Sequence, residues 1–500
     1  MSFSIDNIVL IGSLLLFVSI IAGKTGYRFG VPILVLFLGV GMLFGTDGFG
    51  LEFSSPKAAQ FVGVIALNII LFSGGMDTRF SEIKPILGQG VVLATLGVLL
   101  TALISGVFIY FITQNLFGTI TFTVLEALLL ASVMSSTDSA SVFAILGSKG
   151  LVLKERLRPL LELESGSNDP MAYLLTITFI QWIQIGEGSM WLIAGNFVMQ
   201  LVIGAVLGYF LGRVAVKLIN KIGLDNESLY PVLLLTVLFM VYSITNFLKG
   251  NGYLAVYVSG LVIGNSRFIH KKTSKKFMDG MAWLFQIVMF LTLGLLVNPR
   301  ELLPIAGIGL AVSLFMIFVA RPIAVWLCLL PFRGMSNKAR HYVSWVGLRG
   351  AAPILFATYP WTAGIQDAQM IFNIVFFVTL VSLLVQGTTV PAVARWLGLA
   401  GESKPKHLLT TFDVELSDDI KSSMSEITLS VEHLAHGNRI MDMPMPENTL
   451  VVMVKRDEQY FVPTGSTELE PGDALLLISD NDTTLGETFA QLGLDDGESK

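Results

Sequence analysis

Four charged side chains lie deep inside apolar segments of this 500-residue chain: Asp138, Asp169, Arg321 and Arg349. An ionisable group at the centre of a membrane span costs about 2.5–3.5 kcal/mol on insertion scales, so it is retained where something uses it. Each segment has one end on a given side of the membrane. Counted from the ends on that common side, all four charges lie roughly 15 Å deep by the helical rise. The sequence therefore predicts a charged plane near the middle of a membrane.

The acidic members of this plane have the chemistry of a cation site. Asp138 and Asp169 are accompanied by Ser165, which stands four residues before Asp169 and so on a neighbouring face of the same helix. Carboxylate, hydroxyl and carbonyl oxygens replace the hydration shell of a hard cation. We expect Asp138 and Asp169 to bind a monovalent cation together with Ser165 and exposed backbone carbonyls.

The remaining charges suit a supporting role. Glu164 lies about one turn from the plane, and either Arg321 or Arg349 is able to pair with it and hold the geometry of the site. The alternative is a purely structural role. Polar residues in spans also form hydrogen bonds between helices, and two arginines can neutralise two carboxylates in a protein that transports nothing. Because inert pairing seldom needs so many buried charges, the set favours a functional site.

Composition points to a membrane body with an aqueous appendage. Hydrophobic residues make up 53% of the chain and charged residues 14%, against roughly 25% charged in soluble domains. A span needs about 20 mostly apolar residues. We count thirteen such segments, of which the second and ninth are short: 6–23, 31–45, 58–74, 86–113, 122–147, 159–184, 192–219, 229–248, 252–266, 278–297, 302–330, 339–359 and 366–397.

The basic residues orient these spans. One set of alternate loops holds nineteen Lys and Arg, and the other holds Lys57, Lys249 and Arg300. Because basic loops stay in the cytoplasm, the amino terminus is predicted outside and the carboxyl terminus in the cytosol. Residues 401–500 carry 7 basic and 20 acidic residues, which makes an acidic cytosolic tail.

Two spans are interrupted by helix-breaking or polar residues, at 135–139 and at 347–353. Freed backbone groups cannot face lipid, so both breaks must face protein or water. The breaks fall in the fifth and twelfth spans, an odd offset that implies opposite orientations. Paired broken helices indicate an inverted repeat around a midplane site, here spans 1–6 and 8–13. The predicted fold is an all-α membrane protein with thirteen transmembrane helices, two of them broken and crossing, and a small α+β cytosolic domain.

Several motifs in order resemble one family. The string 164–170, ESGSNDP, together with Thr137-Asp138, the GLRG of 347–350 and the GGM of 74–76, is similar to the monovalent cation:proton antiporter-1 family, in particular its NhaP-like bacterial members. The likeness covers about 5–398. It implies thirteen helices, a homodimer, a mobile core domain and electroneutral exchange of K⁺ or Na⁺ for H⁺ by alternating access in the bacterial inner membrane.

The same resemblance implies roles for individual residues. Asp169 would be the carboxylate shared by cation and proton, Asn168 its partner, and Asp138, Thr137 and Ser165 further ligands. Because Asn168 is neutral, only one carboxylate of the 168–169 pair changes protonation, which predicts one proton per cation.

Two further implications concern other positions. Relatives favour Arg321 over Arg349 as the ion-pair partner of Glu164. The sequence departs from many relatives at Ser73, where they carry an acidic residue. Ion affinity or selectivity is therefore expected to differ from theirs.

After the spans the pattern changes to short strands and turns. Strands are predicted at 449–455, 460–462 and 474–479, with a short helix ending at 489–492. Residues 437–473 resemble a TrkA-C module, the C-terminal half of an RCK unit, without a nucleotide-binding GxGxxG. The predicted division is a transmembrane domain 1–398, a linker 399–424, a TrkA-C-like domain 425–492 and an acidic tail 493–500. This domain either binds a small ligand such as a nucleotide or serves assembly alone.

Three other classes of function remain as alternatives. A cation channel would need a filter-like segment, a cation-coupled symporter a pocket for an organic substrate, and an intramembrane enzyme a base near Ser135 or Ser165, where no histidine lies. We therefore expect a transporter that is not an enzyme, with no cofactor and no nucleic-acid partner. Membrane lipid, protons and K⁺ or Na⁺ are the expected partners, and the potassium-associated tail favours K⁺.

Overall fold

The computed structural model describes residues 5–29, 32–116, 121–186, 190–332, 334–402, 424–429, 434, 438–443, 449–456 and 459–479. The chain divides into two compact units, Met1–Glu402 and Ser403–Lys500. The first unit is helical and the second is built on a sheet.

The helices of the first unit, in chain order, are α1 Ile5–Phe29, α2 Ile33–Phe44, α3 Pro56–Asp77, α4 Phe80–Ile83, α5 Leu87–Val92, α6 Val98–Asn115, α7 Val124–Val133, α8 Ser139–Ser148, α9 Leu157–Ile185, α10 Met190–Ile222, α11 Leu229–Phe247, α12 Gly252–Gly264, α13 Lys271–Leu295, α14 Pro299–Phe315, α15 Arg321–Leu329, α16 Asn337–Trp345, α17 Ala351–Thr362 and α18 Ala368–Trp396. A 3₁₀ turn, Lys84–Ile86, joins α4 to α5, and π-helical turns join α5 to α6 at Leu93–Gly97 and α14 to α15 at Met316–Ala320.

Helices lie on every apolar segment of the sequence, but two segments hold a pair of helices separated by non-helical residues. These pairs are α7 with α8 and α16 with α17, and their gaps coincide with the two predicted breaks. Within the described residues, seven helices are both long and apolar enough to cross a membrane. The short helices flanking the breaks are not among them, because each break divides one apolar run.

Local capping explains where several helices begin. Ser55 accepts a hydrogen bond from the Ala58 amide at 3.3 Å, and Pro56 takes the first helical position of α3. Thr123 and Glu126 form a reciprocal capping box at the start of α7. These caps anchor the two helices at the ends away from Asp77 and from the first break.

A short antiparallel ladder closes the first unit. Strand β1, Leu151–Leu153, pairs with β2, Ala400–Glu402. The Lys154 amide also donates to the Leu399 carbonyl at 3.0 Å. Residues 399–402, which the sequence assigned to a linker, thus belong to the first unit, because strand pairing fixes the chain end of α18 beside the start of α9.

The second unit is a four-stranded antiparallel sheet with strand order β3-β6-β4-β5. Its strands are β3 Met424–Thr428, β4 Thr449–Arg456, β5 Gln459–Phe461 and β6 Ala474–Ser479. The last three overlap the predicted strands. The sequence missed β3, whose alternation is weak, and the helix predicted to end at 489–492 lies outside the described residues.

An ion pair locks the turn between β5 and β6. Arg456 donates to both oxygens of Asp473, at 2.8 and 2.7 Å. Burial acts to raise the pKa of Asp473, but the Arg456 hydrogen bonds prevail and hold that pKa below its ordinary value. Leu475, Leu477 and Val454 form the apolar core beneath the strands.

Candidate functional site

The two helix breaks lie directly against each other. The Asp138 amide in the first break donates to the Leu348 carbonyl in the second at 2.8 Å. In return, the Arg349 guanidinium donates from Nη1 to the Ser136 carbonyl at 2.7 Å. Backbone groups released from the helices thus find partners in protein, which is the condition for a broken helix at membrane depth.

α18 supports the second break with two polar side chains. Ser382 Oγ accepts from the Arg349 amide at 3.0 Å and donates to Gln386 Oε1 at 2.6 Å. Gln386 Nε2 then reaches the Trp345 carbonyl at 2.7 Å. Sequence reasoning missed Ser382 and Gln386, although two polar residues four apart inside an apolar span were the available signal.

α9 supports the first break with its serine and asparagine. Ser165 Oγ donates to the Thr137 carbonyl at 3.0 Å and accepts from the Ser139 amide at 3.1 Å. Asn168 is fully buried and donates from Nδ2 to Thr137 Oγ1 at 2.6 Å. The structure therefore brings Thr137, Ser165 and Asn168 into one network around the break.

Asp138 is oriented by the start of α8. Its Oδ1 accepts from the Ser141 amide at 3.2 Å, and its Oδ2 accepts from the Ser141 hydroxyl. The backbone of Gly350 passes so close that a Cβ there would lie 2.7 Å from the Asp138 Cβ. An N-cap and a glycine thus fix where this carboxylate points.

A cavity of about 250 Å³ contains the predicted cation ligands. Asp138, Asp169 and Ser165 line it, together with the first residues of α8 and α17. Among the described residues, no cluster of three or more His, Cys, Asp or Glu is arranged to hold a metal ion. Two carboxylates with hydroxyl and carbonyl oxygens have the ligand chemistry of a hard cation site.

The buried ion pair beside this cavity joins α9 to α15. Arg321 donates from Nη2 to Glu164 Oε1, and the two side chains are 2% and 1% exposed. Arg321 is the first residue of α15, directly after a π-helical turn, a deviation that often marks functional positions. Arg349 instead donates from Nη1 to the Ser136 carbonyl of the first break. Among the described residues, the ion pair of Glu164 is thus with Arg321.

Ser73 faces a second and larger cavity of about 720 Å³. Its hydroxyl donates to Asp279 Oδ1 at 3.0 Å, and one turn further along α3 the Asp77 carboxylate meets Lys275 at 2.7 Å. Asp77 and Gln286 line both cavities. Sequence reasoning missed Asp279, because it is the second residue of the predicted segment 278–297 and therefore lacks the depth that singled out the other charges.

The chain matches two family models. The model described as sodium/hydrogen exchanger, transmembrane, matches residues 13–396, and the TrkA-C domain model matches residues 424–488. Both resemblances inferred from the motifs are thereby confirmed.

Individual relatives extend this match over nearly the whole chain. The chain is 40% identical to a protein named K(+)/H(+) antiporter NhaP2 of Shewanella sp. strain ANA-3 over 494 residues, which is 98% of this chain and 84% of that one. It is 38% identical to the K(+)/H(+) antiporter NhaP of Alkalimonas amylolytica, covering 95% of this chain and 81% of that one.

A solved structure shares the fold of the helical unit. The sodium proton antiporter MjNhaP1 of Methanocaldococcus jannaschii superposes with a TM-score of 0.66 at 23% identity, covering 77% of this chain and all of that one. With a family model over most of its length and relatives near 40% identity, the chain belongs to the sodium/hydrogen exchanger family of membrane proteins.

Proposed function

We propose that this protein is a secondary antiporter that exchanges a monovalent cation, K⁺ in preference to Na⁺, for H⁺ by alternating access. One observation carries the proposal: Asp138 and Asp169 line a single cavity at the meeting point of two helix breaks. The names of the relatives, K(+)/H(+) antiporters in Shewanella and Alkalimonas, support both the activity and the cation.

Competition for one carboxylate couples the two fluxes. Asp169 in its ionised form binds the cation, with Asp138, Ser165 and Thr137 supplying further oxygens, and in its protonated form it binds none. The N-termini of α8 and α17 border the cavity, and their positive dipole ends stabilise ionised carboxylates there. The cavity therefore holds either a cation or a proton on Asp169 as the site changes its exposure.

The stoichiometry follows from Asn168. This residue is neutral, fully buried and bonded to Thr137, so it neither gains nor loses a proton. Asp169 is then the one member of the pair that titrates. We infer that one proton crosses for each cation and that no net charge moves.

The wider architecture is part of the same proposal. Thirteen segments cross the membrane, with spans 1–6 and 8–13 as inverted repeats. Large apolar side chains such as Phe111, Trp191 and Phe247 are exposed and suit contact with lipid. The protein is a homodimer in a bacterial inner membrane, with the amino terminus outside and the carboxyl terminus in the cytosol.

The second unit regulates or assembles the antiporter. The TrkA-C match at 424–488 supports a domain that binds a small ligand such as a nucleotide. We propose a transmembrane domain that ends near the β1–β2 ladder, a linker, this regulatory domain and an acidic tail at 493–500.

The test uses the full chain in liposomes loaded with a pH-sensitive dye. Addition of K⁺ or Na⁺ to one side should move protons in the opposite direction, with K⁺ effective at lower concentration. Asp169→Asn should abolish the signal and Asp138→Asn should weaken it strongly. Asp367→Asn is the matched control, because Asp367 is exposed, lines neither cavity and has φ 56°, a conformation that asparagine tolerates. Cation-dependent proton movement that survives Asp169→Asn would refute the mechanism.

A further inference from the structure

Tyr257 of α12 lies with its ring on the backbone of the α9 motif. A Cβ built on Gly166 would come within 2.6 Å of the tyrosine Cζ and 2.9 Å of its Cδ2. Gly166 separates Ser165 from Ser167, so the ring occupies the gap left by the one residue of this stretch that has no side chain. The ring therefore packs on the residue that follows Ser165, a proposed cation ligand, in the sequence.

The backbone that carries Tyr257 is equally constrained. A Cβ on Gly75 of α3 would lie 2.5 Å from the Tyr257 carbonyl oxygen, and one on Gly260 would lie 2.5 Å from the Phe72 carbonyl oxygen. α3 and α12 therefore touch backbone to backbone, the contact that small residues permit between helices in membranes. Tyr257 cannot withdraw from the cavity without a movement of α3 as well.

The hydroxyl of this fixed ring makes no geometrically sound hydrogen bond to the residues that the structure describes. Tyr257 is 3% exposed, and its oxygen is buried without a hydrogen bond among the described residues. The residue lines the same 250 Å³ cavity as Asp169 and Ser165. The hydroxyls of Thr78 and Ser167 are its polar neighbours, but neither meets hydrogen-bond geometry with it. Thr78 donates its hydroxyl proton to the Gly74 carbonyl at 2.8 Å instead. Burial of a hydroxyl without a hydrogen-bond partner is unfavourable. The Tyr257 hydroxyl is therefore available to bind a molecule that enters the cavity.

We propose that Tyr257 is a positioning residue for the transported cation. Its hydroxyl accepts a hydrogen bond from a water molecule of the hydrated ion, beside Ser165 and Asp169. The proposal rests on the proposed antiport. Waters bound to a cation point their hydrogens outward, toward an acceptor such as the phenol oxygen. A neutral dipole holds the ion in place for exchange of its waters for carboxylate oxygens, yet it adds no charge that would trap the ion.

The test compares two tyrosine-to-phenylalanine variants of the full chain in liposomes. Tyr257→Phe removes the hydroxyl and keeps the ring on Gly166. Tyr342→Phe is the matched control, because the Tyr342 hydroxyl in α16 is likewise buried without a hydrogen bond from the described part of the chain, and Tyr342 lines neither cavity. Loss of one hydrogen bond predicts that Tyr257→Phe raises the half-saturating K⁺ concentration about 2- to 10-fold. The maximal rate, its pH profile and the melting temperature should stay close to wild type, and Tyr342→Phe should change none of these.

Three results would overturn the inference while leaving the antiport intact. The first is a half-saturating K⁺ concentration unchanged in Tyr257→Phe, or shifted equally in the control. The second is a shifted pH profile at constant K⁺ affinity, which would assign the hydroxyl to proton movement. The third is a lower melting temperature, which would mean that the hydroxyl has a protein partner. Wild-type liposomes without any exchange would refute the proposed function itself.

Discussion

The Asp138 amide donates a 2.8 Å hydrogen bond to the Leu348 carbonyl, and this contact joins the two interrupted helices at the cavity. Asp138 also caps α8 through its side chain. A carboxylate proposed to bind the cation is thus positioned by the break of another helix more than 200 residues away in the chain. The geometry of the site therefore depends on how α16 and α17 pack, as well as on α7 and α8.

A substitution at Gly350 tests whether the second break positions Asp138. A methyl group in Gly350→Ala would lie 2.7 Å from the Asp138 Cβ, so the capping carboxylate must move. We expect a loss of about 1–3 kcal/mol in stability, as for other overpacked sites, and at least a tenfold fall in exchange measured by dye quenching in liposomes.

Gly147→Ala is the control for that variant. Gly147 is in α8, and nothing lies within 4 Å of its Cβ position. Alanine there should leave exchange unchanged and stabilise the helix by up to about 1 kcal/mol. Equal behaviour of the two variants would show that the contact between Gly350 and Asp138 has no role.

The buried Glu164–Arg321 pair should affect the stability of the folded protein when one partner is removed. Removal of one partner leaves the other as an unpaired buried charge, so Glu164→Gln is expected to cost about 3–5 kcal/mol. The double variant Glu164→Met with Arg321→Met should recover part of that loss, since an apolar pair needs no compensation. The measurement is thermal unfolding of the purified protein in detergent, and a double variant as unstable as the two single losses combined would argue against coupling.

Asp279 should act on the cation through its charge. Asp279→Asn keeps an acceptor for the Ser73 hydroxyl but removes the negative charge from the larger cavity. We expect a higher half-saturating cation concentration at low ionic strength and a smaller difference in high salt, because screening shortens the reach of the charge to about 10 Å at 0.1 M. Ser73→Ala removes the hydrogen bond alone and should have the weaker effect. A penalty independent of salt would mean that Asp279 acts by contact.

Transport should carry no net charge. Asn168 is the neutral neighbour of Asp169, so each cycle exchanges one positive charge for another. Reconstituted protein on a solid-supported membrane is expected to give no sustained current on a cation jump, although dye measurements register exchange. A sustained current that scales with the exchange rate would require more than one proton per cation.

The amino-acid sequence by itself determined the local features. Apolar runs set where helices form, and Gly, Pro and Ser/Thr/Asp clusters set the gaps between α7 and α8 and between α16 and α17. These are properties of short stretches, since a residue's helix propensity and a span's apolarity act over neighbouring residues. The motifs around Asp138 and Asp169 were sufficient to place the chain in its family.

Tertiary structure decided which residues are in contact, including the Glu164–Arg321 pair that the family resemblance favoured but the residues themselves left open. Glu164 and Arg321 are 157 residues apart, and the choice of Arg321 over Arg349 depends on which helices touch. The same holds for Ser382 and Gln386 beneath the second break and for Asp279 beside Ser73. Spacing along a helix states which residues share a face, but the direction of that face and the segment opposite it follow from the packing of distant helices. The sequence therefore indicated the chemistry of the site, and the fold determined its geometry.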